Sequence, residues 1–401
     1  MKFCSLCNSS LLRTFFEADR VPMAPNAPLD PFQPKQSIYG KLNIVLCQEC
    51  GHVHNMKFDP AHIPLIYSEG YSSSLPTDPT ILKSYLDLLD QEIGKAFIQD
   101  KQVLEIGAGD MTFSRLLAES ASHVYAVEPS DVFDDPKLVS PKITRIKDYF
   151  PSSKLVSLKF DVIFARHVIE HVEDPIEFIQ HLVALTDLGS LIYVEVPNVE
   201  DILAKLRYYD FFYEHVHYFN PETLTQLFNC FGFTAKKVVL LRQGQHFGLF
   251  LERTSLNYLP LEESIRNLPI VKNLFEQVIN FEHQRDTYFS KLENFFAQCR
   301  ENKRKVAIWG AGCHGITLAS HLNLDTTVID CFIDMNLSKR GKIADLSYVP
   351  IRHPDDVDFV SLDDVVIVAS LHQSSILNQL KKLVLAHTKL WGTYPTFQQL
   401  N

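Results

Sequence analysis

Residues 213–220 read YEHVHYFN, placing Tyr213, Glu214, His215, His217 and Tyr218 within eight positions. Histidine, glutamate and tyrosine at this density can move protons near neutral pH, hold a metal, or satisfy one another in a core. Asn220-Pro221 follows, so the stretch belongs to a loop or to its edge. A metal held by His215 and His217 lacks further ligands nearby at fitting spacing. Proton transfer and a buried polar knot both remain open from this stretch alone. If protons move here, His215 is the candidate base, Glu214 would orient it or raise its basicity, and His217 and Tyr218 would pack or line a substrate.

A second constellation lies at the N-terminus. Cys4 and Cys7 form one C-x2-C pair, and Cys47 and Cys50 form another. Each pair can present two thiolates to a tetrahedral ion, so together they predict a closed, structural Zn2+ site. The intervening stretch ADRVPMAPNAPLDPFQP is too Pro-rich for much helix, so metal binding would supply folding energy that so short a segment lacks. His52 and His54 are expected to be surface polar residues of a strand.

The elements that must position this chemistry follow in order. Residues 103–130 give an apolar strand, the loop Gly107-Ala108-Gly109, an amphipathic helix, the strand HVYAV and then Glu128. Glycines at a strand-to-helix turn let a ligand approach the backbone near a helix N-terminus, and an acid ending the next strand suits ribose hydroxyls. A dinucleotide fingerprint wants a third glycine where Thr112 stands. Glu105 would repel a pyrophosphate but suit the ammonium of a methionine moiety. FDVIFARHVIEHVEDP (160–175) and GSLIYVEVPN (189–198) continue the strands. His167 to His171 matches H-x-x-E-H, an inverted zinc-protease motif, but its place behind a strand downstream of the glycine loop favours packing for His171. The succession resembles class I S-adenosylmethionine-dependent methyltransferases, and FTAKKVVLL and HFGLFLERT read as the last two strands.

The tail repeats the theme. Residues 256 to about 302 read as helix, with Leu274, Val278, Phe281, Tyr288, Leu292, Phe295 and Cys299 on one face, interrupted by Arg285. KVAIWGAGCHGITLASHL then carries Gly310-x-Gly312-x-x-Gly315 between a strand and a helix, and VIDCFIDMN and DVVIVAS read as further strands. This loop fits NAD, or the diphosphate of a nucleotide sugar, or nothing. The basic loop MNLSKRGK, with Lys339 and Arg340, would suit phosphates.

The whole layout resembles the three-domain sugar C-methyltransferases that act on nucleotide-linked deoxysugars. The resemblance covers nearly the full chain. It implies an α/β protein with a zinc-binding domain (1–62), a class I methyltransferase domain (63–255) and a linker helix with a second Rossmann-like domain that binds the nucleotide sugar (256–401). It implies S-adenosyl-L-methionine and structural Zn2+ as cofactors. Glu214 and His215 align with the family's Glu-His. The family's catalytic tyrosine, three before that histidine, falls on Phe212, while Tyr213 replaces the family's first histidine. Either Tyr213 substitutes after a small shift, or the substrate or methylated atom differs. The family also uses a tyrosine upstream of the cofactor loop, matched by Tyr71 and less well by Tyr67.

Methylating carbon needs a carbanion or enolate. In a 4-keto sugar the ketone acidifies the neighbouring C3 proton, which His215 would remove. Tyr71 and Tyr213 would donate to the developing enolate oxygen, where a preorganised donor is worth roughly 3 kcal/mol. The competing expectations are an O- or N-methyltransferase, an NAD-dependent oxidoreductase using the C-terminal glycines, and a non-catalytic binding protein.

Composition sets the limits. The 401 residues are 46% hydrophobic and 21% charged with a net charge of −10, which disfavours non-specific nucleic-acid binding. No apolar run reaches the roughly 18 residues that span a bilayer, and the first residues lack the apolar core of a signal peptide. A cytoplasmic monomer or homodimer with 8 reduced cysteines is the expectation.

Overall fold

The computed structural model describes residues 3–32, 39–67, 79–94, 97–130 and 140–401. Three sheets organise them. The first is antiparallel, with Leu12–Pro22, Tyr39–Cys47, Val53–Asn55 and His217–Tyr218 in spatial order. Beyond Pro22 the described part of the Pro-rich stretch forms turns and bends rather than helix, with Leu29 bridged to Ile343. Its fourth strand comes from the YEHVHYFN stretch, more than 150 residues away in the chain (Val53↔Tyr218 and His54↔His217).

The second sheet has seven strands, in the order Phe233–Leu241, His246–Arg253, Leu191–Pro197, Val162–Arg166, Gln102–Ile106, His123–Val127 and Ile143–Ile146. All pair in parallel except His246–Arg253, which runs antiparallel to both neighbours. It inserts between Leu191–Pro197 and its own hairpin partner. Central strands such as Val103-Leu104 and Ile163-Phe164 are wholly buried, as strands covered on both faces must be. This is an α/β fold with a class I methyltransferase sheet. Helix Pro175–Ala184 is capped by Asp174 and helix Pro221–Cys230 by Asn220, each side chain accepting backbone amides, each followed by Pro in the first turn.

The third sheet places Ile351–Arg352, Ile329–Ile333, Val306–Trp309, Asp364–Ile367 and Lys389–Gly392 in parallel, with Gln398–Gln399 antiparallel at the edge. Helix Cys313–His321 follows the glycine loop. The strand and helix assignments for the tail hold, with one correction. The long helix is Ile270–Glu301, not 256 onward, because Pro260 and Pro269 precede it. It runs unbroken through Arg285, which takes the solvent side, while Leu274, Val278, Phe281, Tyr288, Leu292, Phe295 and Cys299 are buried.

One apolar core joins the first sheet, this helix and the third sheet. Phe16 packs against Tyr208, Phe211 and Phe281, in a cluster that continues to Leu318 and Phe332. Among the described residues no helix is long and apolar enough to cross a membrane.

Candidate active site

A cavity of about 1110 Å³ opens where the three sheets meet, and its walls come from every part of the chain. The turn after Gln102–Ile106 presents Gly107, Gly109 and Asp110 to it, together with Glu128. Gly107 has φ +73°, and a Cβ there would lie 2.7 Å from Val168 Cγ2, so only glycine fits. Gly109 has φ +53° and open space where its Cβ would stand, which leaves room for a ligand. Glu128 accepts from Gly109 N at 2.9 Å and Ser130 N at 3.0 Å, fixing the loop. A methionine-nucleoside cofactor fits this cradle: glycines for close approach, a carboxylate at the second strand end.

The same cavity is lined by His215 and Glu214 of the YEHVHYFN stretch, by Phe212 just before it, and by His167 and His171 after Val162–Arg166. His215 is 7% exposed, and its Nδ1 has no hydrogen-bond partner among the described residues. Its ring lies 4.1 Å from that of Phe212 and 4.7 Å from that of His171. Burial, then the neighbouring His171, His167, His246 and His314, push His215 well below the usual imidazole range. It is therefore neutral, with a lone pair available. His171 Nδ1 donates to the Glu214 carbonyl at 2.9 Å, which orients both residues.

His167 is its electrostatic opposite. One ring nitrogen lies 3.2 Å from Glu170 Oε1 and the other 3.2 Å from Glu195 Oε1, both buried. Against the cost of burial, these two hydrogen bonds raise His167 above the usual range, so it is an imidazolium between carboxylates. The cavity thus holds a charged and a neutral histidine on one wall. Glu195 also accepts from Tyr85 and Tyr193, and Arg166 lies 3.6 Å away. His246 abuts His167 with ring centroids 4.8 Å apart.

The third sheet and its loops contribute Gly310, Gly312, Gly315, His314, Ser370 and Lys342 to the lining. Gly310 has φ +120°, and a Cβ on Gly315 would collide with the Gly310 carbonyl, so the third glycine lets helix and strand pack closely. His314 Nε2 meets Asp210 at 3.2 Å. Buried Arg207 pairs with Asp210 and Asp201 and donates to Gln245, which also accepts from Ser370. These bonds tie segment 201–210 to the third sheet across the cavity.

Residues 81–238 match the family model described as a methyltransferase domain. Residues 271–395 match the one described as a C-methyltransferase C-terminal domain. The two matches support S-adenosylmethionine-dependent methyl transfer to carbon. Similar solved structures include an S-adenosylmethionine-dependent methyltransferase from Mesorhizobium loti (14% identity, 43% of this chain and 100% of that one, TM-score 0.37). The N-methyltransferase NodS from Bradyrhizobium japonicum WM9 with S-adenosyl-L-homocysteine is another (16% identity, 46% and 90%, TM-score 0.34). No curated protein matches the chain.

Not every residue singled out in the sequence reaches this methyltransferase cavity. Glu105 is buried behind the loop, accepts from Ser114 Oγ and is pushed up to about 7 by burial; Asp110 lines the cavity in its stead. Ala108 is buried beside the two cradle glycines. Tyr213 points away: its hydroxyl bonds Asp59 N at 2.9 Å and His62 Nδ1 at 2.8 Å, and its ring packs on Gly40, where a Cβ would collide with it. Tyr71 lies outside the described residues, whereas Tyr67 lines the cavity 6.3 Å from the His171 ring. Lys339 is buried under the glycine loop, donating to Ala311 O at 2.9 Å, and Arg340 pairs with Asp356. Lys342, Asn336 and Ser338 of the same loop face the cavity instead.

His52 and His54 are wholly buried, because the pairing with His217–Tyr218 covers their strand. His171 is not a mere packing residue, since it borders the cavity and its neighbour His215. The H-x-x-E-H pattern marked this wall. His246 and Arg242, on the turn into the last strand, carried no signal of their own.

Cys4, Cys7, Cys47 and Cys50 are buried together with no disulfide among them. Their sulfurs approach to 3.6 Å (Cys4–Cys50) and 3.5 Å (Cys7–Cys47). Zn–S bonds of ~2.3 Å in a tetrahedron put sulfurs ~3.8 Å apart, so the cluster has the right size and donor type for Zn2+.

Proposed function

We propose that the protein transfers a methyl group to carbon of a nucleotide-linked keto-deoxysugar. The observation that carries this reading is that one cavity is lined by a cofactor-type glycine cradle, a neutral histidine and a second glycine loop. The three-part division at 62/63 and 255/256 goes with it: Zn2+ held by the four cysteines, cofactor by Gly107, Gly109 and Glu128, nucleotide sugar by the loop around Gly310, Gly312 and Gly315.

When bound, S-adenosylmethionine supplies an electrophilic methyl group. The nucleophile is the substrate's own enolate carbon, and the chain supplies the base that makes it. His215 takes the proton from the carbon beside the ketone and becomes an imidazolium, which Glu214 stabilises. A tyrosine of the 67–71 segment donates to the enolate oxygen; Tyr67 is the one on the cavity wall. Phe212 packs against His215 at an interplanar angle of 46° with ring centroids 4.1 Å apart, which restricts the imidazole, and it contributes no proton. The remaining task is alignment, in which effective molarities can offset several kcal/mol of barrier. The setting is a cytoplasmic monomer or homodimer without nucleic-acid or membrane partners.

The test is mass spectrometry of nucleoside-diphosphate 4-keto-6-deoxysugars incubated with protein and S-adenosylmethionine, beside His215→Ala. A single carbon-bound methyl, lost in the variant, is the expected result. No methylation of any keto sugar by a protein that still binds the cofactor would overturn the substrate class.

A further inference from the structure

We propose that the Cys47–Cys50 turn is clamped to the loop carrying His215, and that His217 is the positioning residue of this clamp. The cysteine cluster then sets where His215 stands in the cavity, besides holding its own segment together. The inference rests on the proposed role of His215 for its catalytic consequence, but not for the clamp itself.

Four contacts carry it. Strand Val53–Asn55 leaves the second cysteine pair and takes His217–Tyr218 as its outer neighbour, with Asn55 N donating to Val216 O at 2.8 Å. His52 and His217, both wholly buried, join Nε2 to Nδ1 at 3.0 Å. Asn220 Nδ2 donates to Gly51 O at 3.4 Å, and Thr223 Oγ1 to Cys50 O at 3.1 Å. The imidazoles of His54, His52 and His217 stack at 5.1 Å steps. Residues 216–223 are thus fastened to residues 50–55 at several points, starting one residue after His215.

The turn is itself built on a cysteine. Cys47 O accepts from Gly51 N at 3.0 Å, and Cys47 N donates to His52 O at 2.8 Å. A metal on the four thiolates fixes Cys47 and Cys50, and through them Gly51 and His52. From the other side the cofactor domain holds the loop: Glu170 O accepts Val216 N at 2.8 Å and His217 N at 3.1 Å, Phe219 O accepts Val199 N at 3.0 Å, and Glu214 O accepts His171 Nδ1. His215 is held between these two grips. Releasing one leaves the base free to shift, and a displacement of about 1 Å in an aligned site costs ~10²-fold in rate.

The experiment is hydrogen–deuterium exchange mass spectrometry on the full chain, zinc-loaded and chelator-stripped, with zinc-loaded His217→Phe and His217→Asn alongside. Metal content and S-adenosylhomocysteine affinity are measured on each. Stripping is expected to raise exchange across 211–223 while 102–110 stays protected and cofactor affinity holds. His217→Phe is expected to keep its zinc, show the same local rise, and lose about 10²-fold in kcat with KM within threefold. His217→Asn places an amide near the Nδ1 position and is expected to recover at least tenfold of that. Unchanged protection of 211–223 in both stripped protein and His217→Phe would overturn the clamp. So would a rise spread evenly over the chain, which would make the cysteine cluster a global stabiliser. Failure of the wild type to methylate any keto sugar would count against the substrate reading alone, leaving the exchange arm to decide the clamp.

Discussion

As the proposed base, His215 trades strength for readiness. Burial and neighbouring imidazoles hold it neutral, so it is unprotonated well below the ordinary imidazole pKa of ~6.5. The acid limb of kcat/KM is expected below pH 6.5, because protonation of His215 in the free enzyme is what ends activity; a limb above that value would assign the base elsewhere. His215→Ala is expected to lower kcat by about 10²–10⁴-fold with cofactor affinity unchanged. Tyr213, by contrast, secures the chain around Asp59 and His62. Tyr213→Phe is expected to cost about 1–2 kcal/mol in urea unfolding, rather than abolish turnover.

At the scale of elements, the loops that end parallel strands make the site. Gly107 follows Gln102–Ile106, His167 follows Val162–Arg166 and Gly310 follows Val306–Trp309. Strand ends of open α/β sheets gather ligands because adjoining loops diverge there. Gly315 packs helix Cys313–His321 against the Gly310 carbonyl, and Gly315→Ala must push that turn apart. The expected loss is about 2–3 kcal/mol of stability, read as a lower denaturation midpoint with unchanged cofactor binding at the other sheet. An unchanged midpoint would mean that the helix can shift without cost.

At the scale of the whole molecule, the buried neutral histidines link stability to pH. His217 is pushed down to about 3 and His321 to about 4, both chiefly by burial. Their folded values lie below the unfolded value of ~6.5, so the unfolded chain binds more protons as pH falls. Their contribution is fully present above pH 6.5 and is lost as pH falls from there toward 3–4. By pH 5 each costs up to about 2 kcal/mol. Urea midpoints are expected to fall steadily between pH 7 and 5. A flat profile would show that these rings are solvated.

Local pattern was legible in the chain because it is local physics. The strand–glycine–helix order, the buried stripe of Ile270–Glu301 and the paired cysteines all follow from spacing of a few residues. The choice of His215 as the loop's base was also within reach, since its type and neighbours suffice to suggest it. What only tertiary structure decided is direction and company. A register between Val53–Asn55 and His217–Tyr218 buries His52 and His54. A lysine that reads as a phosphate ligand, Lys339, turns inward to a carbonyl. His167 and His215 take opposite charge states from neighbours 3 to 99 residues away, which no one window of sequence contains. Side-chain orientation and pKa depend on long-range packing and desolvation, and those exist only once the three sheets have met.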